Sequence, residues 1–167
     1  MDPTQKMVVD MLKEWAEKRL EWKSLPVGAD PCHPPPLRML LLGTAGTGKT
    51  YTAKAGITEA RLMLESYDSV LTMAFTGVAA ANLGVGSKTI DSVFHTNRAD
   101  AVEDLTGDFL DNLVSELESV ELLVIDEIST CGAAALEVVS RRTQQAARVL
   151  RRRKFRREPP DNLSPFG

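Results

Sequence analysis

The segment from Gly43 to Thr50 constrains the fold more than any other part of the chain. It reads Gly-Thr-Ala-Gly-Thr-Gly-Lys-Thr and fits the spacing G-x-x-x-x-G-K-[ST]. The apolar run 38–43 before it predicts a buried strand, and the pattern from Lys49 to about Glu65 predicts a helix. Glycines let a backbone approach phosphate oxygens closely, and amides at a helix N-terminus attract anions. The segment therefore predicts a site for a nucleoside triphosphate.

The residue types within this motif suggest separate roles. Lys49 supplies a positive charge for the β- and γ-phosphates, and the hydroxyl of Thr50 is a ligand for Mg²⁺. We therefore expect Mg²⁺ and ATP as cofactors, with Lys49 also catalytic. The loop residues predicted to bind the nucleotide are Gly43, Thr44, Ala45, Gly46, Thr47, Gly48, Lys49 and Thr50.

A second chemical signal is the apolar run 120–126, which ends in Asp126 and is followed by Glu127. An acid at the carboxyl end of a buried parallel strand lies where sheets of this class bind ligands. We predict that Asp126 helps to hold Mg²⁺ and that Glu127 is catalytic and activates the attacking water, a task that related sites give to a nearby polar group.

Predicted strands alternate with predicted helices along the chain. The strands are 38–43, 69–75 and 120–126, and the helices are 4–20, 49–65, 77–83, 89–95, 105–117 and 133–153. Strands that are apolar nearly throughout favour a parallel sheet with helices on both faces, an α/β fold. Such sheets usually have more than three strands, so the chain looks cut short.

Composition and termini exclude several classes. No apolar run approaches the ~20 residues that span a bilayer. Residues 1–10 have no charged head followed by an apolar stretch, which argues against a secretory signal, and Asp2, Asp10 and Glu14 argue against a mitochondrial transit peptide. Cys32 beside His33 has no second cluster to complete a zinc site, and Cys131 lies too far away in sequence to suggest a disulfide framework. We expect an intracellular protein, in the nucleus rather than the mitochondrion, with no membrane partner.

Charge is unevenly distributed around a net value of −3. Residues 100–127 contain acids and no Lys or Arg, whereas residues 141–157 contain bases and no acid. The basic segment is typical of a solvated helix, and a nucleic-acid surface or a nuclear address are the alternatives.

Two further motifs allow two interpretations. Phe75-Thr-Gly-Val-Ala-Ala-Ala81 opens a helix directly after a strand, and Thr89-Ile-Asp-Ser-Val-Phe94 follows shortly after. Their backbone amides could bind a phosphate of a nucleic acid. Alternatively, their small residues allow a helix to pack closely on the sheet.

The four motifs together resemble the Pif1-like DNA helicases of superfamily 1, over 5–167. The resemblance rests on Gly43–Thr50, Phe75–Ala81, Thr89-Ile-x-Ser92 and Val124-Ile-Asp-Glu-Ile-Ser129, with Pro165-Phe-Gly167 resembling a further short motif. It implies a RecA-like P-loop domain of an ATP-dependent motor that moves 5′ to 3′ on single-stranded DNA. It also implies that Gln5 reads adenine and that DNA is contacted by Thr76, Gly77, Ala79, Ala80, Thr89, Ser92 and Phe94.

The chain also departs from that family. Asp91 stands where members usually have His, Thr130 stands where they usually have Met, and 24–37 resembles an insertion. The sensor glutamine and the second motor domain, which carries the arginines that complete the ATP site, are expected beyond Gly167. We therefore predict an N-terminal helix over 1–23, a proline-rich linker over 24–37 and a partial RecA-like domain over 38–167. A different ATPase of the AAA+ type, or a binding remnant without turnover, are the alternatives.

Overall fold

The structure is a computed structural model that describes residues 1–25, 35–44, 46–97 and 103–157, with the backbone alone at 154–157. Six helices and three strands lie within these ranges. They are α1 (Pro3–Ser24), α2 (Lys49–Met63), β1 (Val70–Ala74), α3 (Gly77–Leu83), β2 (Lys88–Thr89), α4 (Ile90–Phe94), α5 (Gly107–Leu117), β3 (Leu122–Asp126) and α6 (Ala133–Arg157). The predicted helices are all present, with ends shifted by a few residues. None of the described helices is long and apolar enough to cross a bilayer.

The strands form one open parallel sheet in the order β2-β1-β3. β1 and β2 pair in parallel, with Met73 opposite Lys88 and Ala74 opposite Thr89. Every residue of β1 is buried, as expected for a strand covered on both faces. The sheet and its flanking helices confirm the predicted α/β, RecA-like fold class.

The strand predicted over 38–43 is wrong. Residues 35–44 contain no strand, and Leu40 and Leu42 are 61% and 76% exposed. A strand exists only when a neighbouring backbone completes its hydrogen bonds, and the sheet of the described residues does not include this segment. The apolar sequence of 38–43 is therefore not enough by itself to make this segment a strand.

Several expectations concern residues outside the described ranges. They are the central part of the proline-rich linker (26–34), with Cys32 and His33, the loop residue Ala45, and the motif Pro165–Gly167.

The chain divides into two compact units, and the first contains Met1–Leu71 and Glu121–Val124. Here α1 buries Val8, Leu12 and Ala16 against α2. A Cβ at Gly56 would collide with the side chain of Leu12, so glycine at this position lets the two helices approach closely. The core of this unit consists of Ala16, Ile57, Ala60, Leu64 and Val70.

The second unit contains Thr72–Val120 and Ile125–Gly167. Ala74, Ala79, Ala80 and Leu83 form a small apolar cluster where α3 packs on β1. Arg142 on α6 is 2% exposed, and its Nη1 donates hydrogen bonds to the carbonyl oxygens of Phe94 and His95 at the end of α4. A buried guanidinium thus holds α4 in place.

Candidate functional site

The predicted phosphate loop leads directly into α2. Gly48 is the N-cap of this helix and has φ 79°, a left-handed conformation that favours glycine. Within the described residues no side chain caps α2, and no acid lies in its first turn. A helix N-terminus with these features attracts an anion, because its amides and its dipole both point at the incoming negative charge.

Lys49 lies over this loop. Its Nζ donates hydrogen bonds to the carbonyl oxygens of Gly43 at 2.8 Å and Thr44 at 2.7 Å. Thr47 Oγ1 also donates to the carbonyl oxygen of Thr44, at 2.9 Å. The ammonium group is therefore held at the loop by backbone carbonyls, which are acceptors that phosphate oxygens can replace.

Gln5 reaches the same loop from α1. Its side chain completes a capping box with Asp2, accepting from the Asp2 N–H at 3.1 Å while the Asp2 carboxylate accepts from the Gln5 N–H at 2.9 Å. The Nε2 of Gln5 donates to the carbonyl oxygen of Thr47 at 3.2 Å. The structure thus places Gln5 at the nucleotide loop, although its predicted contact with adenine stays a prediction.

A cavity of about 290 Å³ opens between the start of α1 and the loop. Its lining includes five residues that were not predicted from the sequence to belong to a site, namely Asp2, Thr4, Leu41, Leu42 and Thr52. The pattern Asp2-x-x-Gln5 ahead of an apolar helical stretch is the signal that could have found the first of them, because it is typical of a helix start. The remaining lining residues are the predicted Gln5, Gly43, Thr47 and Lys49.

The end of β3 has an unusual backbone. Glu127 has φ 52° and ψ 41°, a left-handed conformation that costs a residue other than glycine roughly 1–2 kcal/mol. Three hydrogen bonds stabilise it. Asp126 Oδ1 accepts the N–H of Glu127 at 2.9 Å, and the N–H and hydroxyl of Thr130 both donate to the Glu127 carbonyl, at 2.9 and 2.8 Å. Thr130, a departure from the resembled family, therefore helps to hold this turn.

The buried thiol of Cys131 follows directly. Burial raises its pKa above the ordinary value. Because the thiolate is the reactive form of cysteine, a raised pKa lowers the reactivity of this side chain. The side chain packs in the interior.

The two motifs predicted to contact DNA lie at the end of the sheet where β1 and β2 have their carboxyl ends. Thr76 is the N-cap of α3 and its hydroxyl accepts from Ala79 N–H at 3.2 Å, and Thr89 is the N-cap of α4 and accepts from Ser92 N–H at 3.1 Å. β1 and β2 run in parallel, so Thr76, two residues after β1, and Thr89, the last residue of β2, both lie at the carboxyl ends of neighbouring strands. Thr76, Gly77 and Ser92 are exposed and Thr89 is half-buried.

Three of the predicted DNA-binding residues are instead part of the core. Ala79, Ala80 and Phe94 are 3%, 4% and 0% exposed. Their side chains pack in the core and support the two motifs, so a contact with DNA at these positions would have to be made by the backbone, and it stays a prediction. Side chains that are exposed or half-buried occur at Thr76, Thr89 and Ser92, and Gly77 is also exposed.

Taken together, the parallel sheet and the glycine-rich loop with its lysine at the start of α2 define a P-loop nucleotide-binding domain. The profile of one family, described as the AAA domain, matches residues 32–151. The chain belongs to that family and is therefore a P-loop ATPase domain. The family occurs among helicase-like P-loop ATPases of superfamily 1, which confirms the coarser part of the predicted resemblance. Searches of the curated proteins and of the solved structures found no significant match.

Proposed function

We propose that this chain binds Mg²⁺–ATP and forms the first motor domain of a Pif1-like DNA helicase. In this proposal Lys49 moves from the carbonyls of Gly43 and Thr44 to the β- and γ-phosphates. The amides at the start of α2 and the left-handed glycines Gly46 and Gly48 support the phosphate chain. Glu127 accepts a proton from the attacking water.

Mg²⁺ fits the chemistry of the predicted ligands. Thr50 and Asp126 offer a hydroxyl and a carboxylate, the hard oxygen donors that this ion prefers. Mg²⁺ usually keeps several waters and takes its other ligands from one or two protein oxygens and from the phosphates of the substrate. Two protein ligands are therefore enough for a site of this kind. When bound, Mg²⁺ neutralises charge on the phosphate oxygens.

The nucleotide site is tested by one substitution. Lys49→Ala removes the positive charge of the loop, and we expect calorimetry with Mg²⁺–ATP to detect no binding by this variant. Lys54→Ala is the matched control, because Lys54 is an exposed lysine on the same helix and its loss should leave the affinity unchanged. Equal affinity of wild type and Lys49→Ala would contradict the assignment of the loop.

The helicase part of the proposal rests on one observation. Two motifs that are separate in sequence meet at the carboxyl edge of the paired strands β1 and β2, and each begins a helix with an exposed or half-buried threonine. Hydroxyls and backbone amides at such an edge suit phosphate and sugar contacts, which fix position without reading sequence. We therefore expect sequence-tolerant, salt-dependent binding of single-stranded DNA, with a dissociation constant of about 10⁻⁴ to 10⁻⁶ M.

The DNA contact needs variants that keep the fold. Both threonine hydroxyls cap helices, and deleting a cap costs about 0.5–2 kcal/mol. Aspartate is also a good N-cap, so Thr76→Asp with Thr89→Asp should preserve the helices while placing negative charge against the DNA phosphates. Thr76→Ser with Thr89→Ser is the matched control, because it keeps both the cap and the neutral hydroxyl.

We expect fluorescence anisotropy to show at least about tenfold weaker binding of single strands by the aspartate pair, and normal binding by the serine pair. Undiminished DNA binding by the aspartate pair, with an unchanged melting temperature, would refute the proposal that single-stranded DNA runs past Thr76 and Thr89. The chain would then be a P-loop ATPase whose substrate is something other than DNA.

A further inference from the structure

The arginines of α6 fall into two groups with different surroundings. Arg142 is buried and donates to the Phe94 and His95 carbonyls, and Arg153 pairs with Asp111 at 3.0 Å. Four other arginines of this helix within 133–153 are exposed, and no acidic side chain of the described residues lies within ion-pair distance of them. We call these four residues the arginine ridge; they are Arg141, Arg148, Arg151 and Arg152.

The geometry of a helix places the ridge on one side of α6. At ~100° per residue, Arg141, Arg148 and Arg152 lie within about 40° of one another around the axis, and Arg151 lies about 60° to the other side of Arg148, so the four span about 100°. The face that carries Arg142 and Ala146 is buried in the second unit. The described helix has one acid on the ridge side, Glu137, which lies one turn before Arg141 and forms no ion pair with another described side chain.

From these observations we infer that the arginine ridge binds the phosphate backbone of a nucleic acid. Guanidinium groups suit this ligand because their forked donors match phosphate oxygens. Arg141 and Arg152 are separated by about 16 Å along the helix, which corresponds to about five phosphates on one strand of a duplex. Unlike Arg153, which is paired with Asp111, the ridge arginines present their charge to solvent, where a polyanion can reach it.

An anionic membrane surface is the competing ligand, and the helix disfavours it. Helices that lie in a membrane insert an exposed apolar face beside their basic one. The larger apolar side chains of α6 within 133–153 are buried or half-buried in the protein; they are Leu136, Val138, Val139, Val149 and Leu150. Gln144 and Ala147, which lie between the ridge arginines in sequence and are exposed, offer little to insert.

The inference does not depend on the proposed motor function, since it uses neither the phosphate loop nor Thr76 and Thr89. The test compares the full chain with a variant that carries glutamine at all four ridge positions. A second variant carries lysine at the ridge and keeps its charge. The matched control replaces four exposed bases elsewhere with glutamine, so that it loses the same charge as the ridge variant; these bases are Lys6, Lys13, Arg38 and Lys54.

Binding of labelled single-stranded and duplex DNA is measured by anisotropy at several salt concentrations. We expect the ridge variant to lose roughly tenfold or more in affinity, and its slope of log K against log salt to fall by about 3, since each neutralised phosphate contributes ~0.7 to 0.9. The lysine variant should keep most of the slope, and the control should resemble wild type. The two DNA forms identify which backbone the ridge prefers.

Three results would overturn the inference. The first is an equal loss of DNA affinity in the ridge variant and in the charge-matched control, which would indicate that net charge alone accounts for the binding. The second is a slope of log K against log salt that is the same in the ridge variant as in wild type. The third is tighter ridge-dependent binding to vesicles of anionic lipid than to either DNA. Calorimetry with Mg²⁺–ATP on the same variants reports separately on the nucleotide site, so a failure of the ridge can be told from a failure of that site.

Discussion

Glu127 combines a strained backbone with the position where a catalytic carboxylate is predicted. Its left-handed conformation is one that glycine tolerates far better, yet the residue directly after Asp126 is a glutamate. Strained residues of this kind persist when surrounding contacts determine their conformation, as the bonds from Thr130 do here. The backbone outlier therefore supports a functional reason for the side chain.

Two substitutions at Glu127 separate backbone strain from chemistry. Glu127→Gly should raise the free energy of unfolding by up to about 1 kcal/mol, because the left-handed strain is relieved. Glu127→Gln keeps the shape and the strain, so its stability and its ATP affinity should stay close to wild type. Both variants should lose ATP turnover.

Urea unfolding and phosphate release measure the two effects independently. Glu137→Gln is the control for turnover, because Glu137 is an exposed acid on α6 and its substitution removes the same charge away from the turn. Full ATPase activity of Glu127→Gln would show that another group activates the water.

At the scale of elements, the attachment of α1 determines where Gln5 lies. Close packing at Gly56 and the apolar residues of α1 hold the helix against α2. Glu121, just before β3, adds a polar attachment, with Arg19 Nε at 2.6 Å and Lys23 Nζ at 2.5 Å from its carboxylate oxygens. Burial raises the pKa of this carboxyl, but the bonds from Lys23 and Arg19 outweigh it and leave the pKa below its usual value.

This lowered pKa predicts a stability that depends on pH. The contribution of Glu121 should be present above the ordinary glutamate pKa of 4.5 and lost as the pH falls through the lower folded value. Glu121→Gln should therefore cost about 1–3 kcal/mol at pH 7, and the difference from wild type should shrink in acid.

Urea unfolding at pH 7 and pH 3 tests this expectation. Glu17→Gln is the control, because Glu17 is an exposed acid on α1 whose neutralisation should change the unfolding free energy little. Equal stabilities of the two variants at pH 7, or a difference that grows in acid, would contradict the role given to Glu121.

At the scale of the whole molecule, the proposed site residues supply a phosphate loop, metal ligands and a general base, and none of them is an arginine aimed at the γ-phosphate. The resemblance implies that such arginines come from a second domain. We therefore expect the 167-residue chain by itself to bind Mg²⁺–ATP and to hydrolyse it slowly. An arginine of this kind is worth ~10³ to 10⁵ in rate in P-loop enzymes.

Steady-state phosphate release, with and without single-stranded DNA, measures this rate, and Lys49→Ala defines the background. Fast turnover stimulated by DNA would mean that an arginine aimed at the γ-phosphate is dispensable, or that another copy of the chain supplies it.

The sequence by itself determined the features that depend on neighbours along the chain. Lys49 begins α2, and α3 runs from Gly77 to Leu83, as predicted, because caps and glycine turns are local interactions within a few residues. The phosphate loop belongs to this group, since its function requires a fixed spacing and glycine at positions with positive φ.

Only the tertiary structure decided the features that depend on distant partners. The apolar run 38–43 is no strand, because a strand requires a paired backbone that sequence does not specify. Phe94 was predicted to contact DNA and is buried, while Arg142, in a segment expected to be solvated, is held by the end of α4. Burial and pairing are properties of contacts between remote segments, and the same arginine-rich helix therefore provides both a core residue and an exposed ridge.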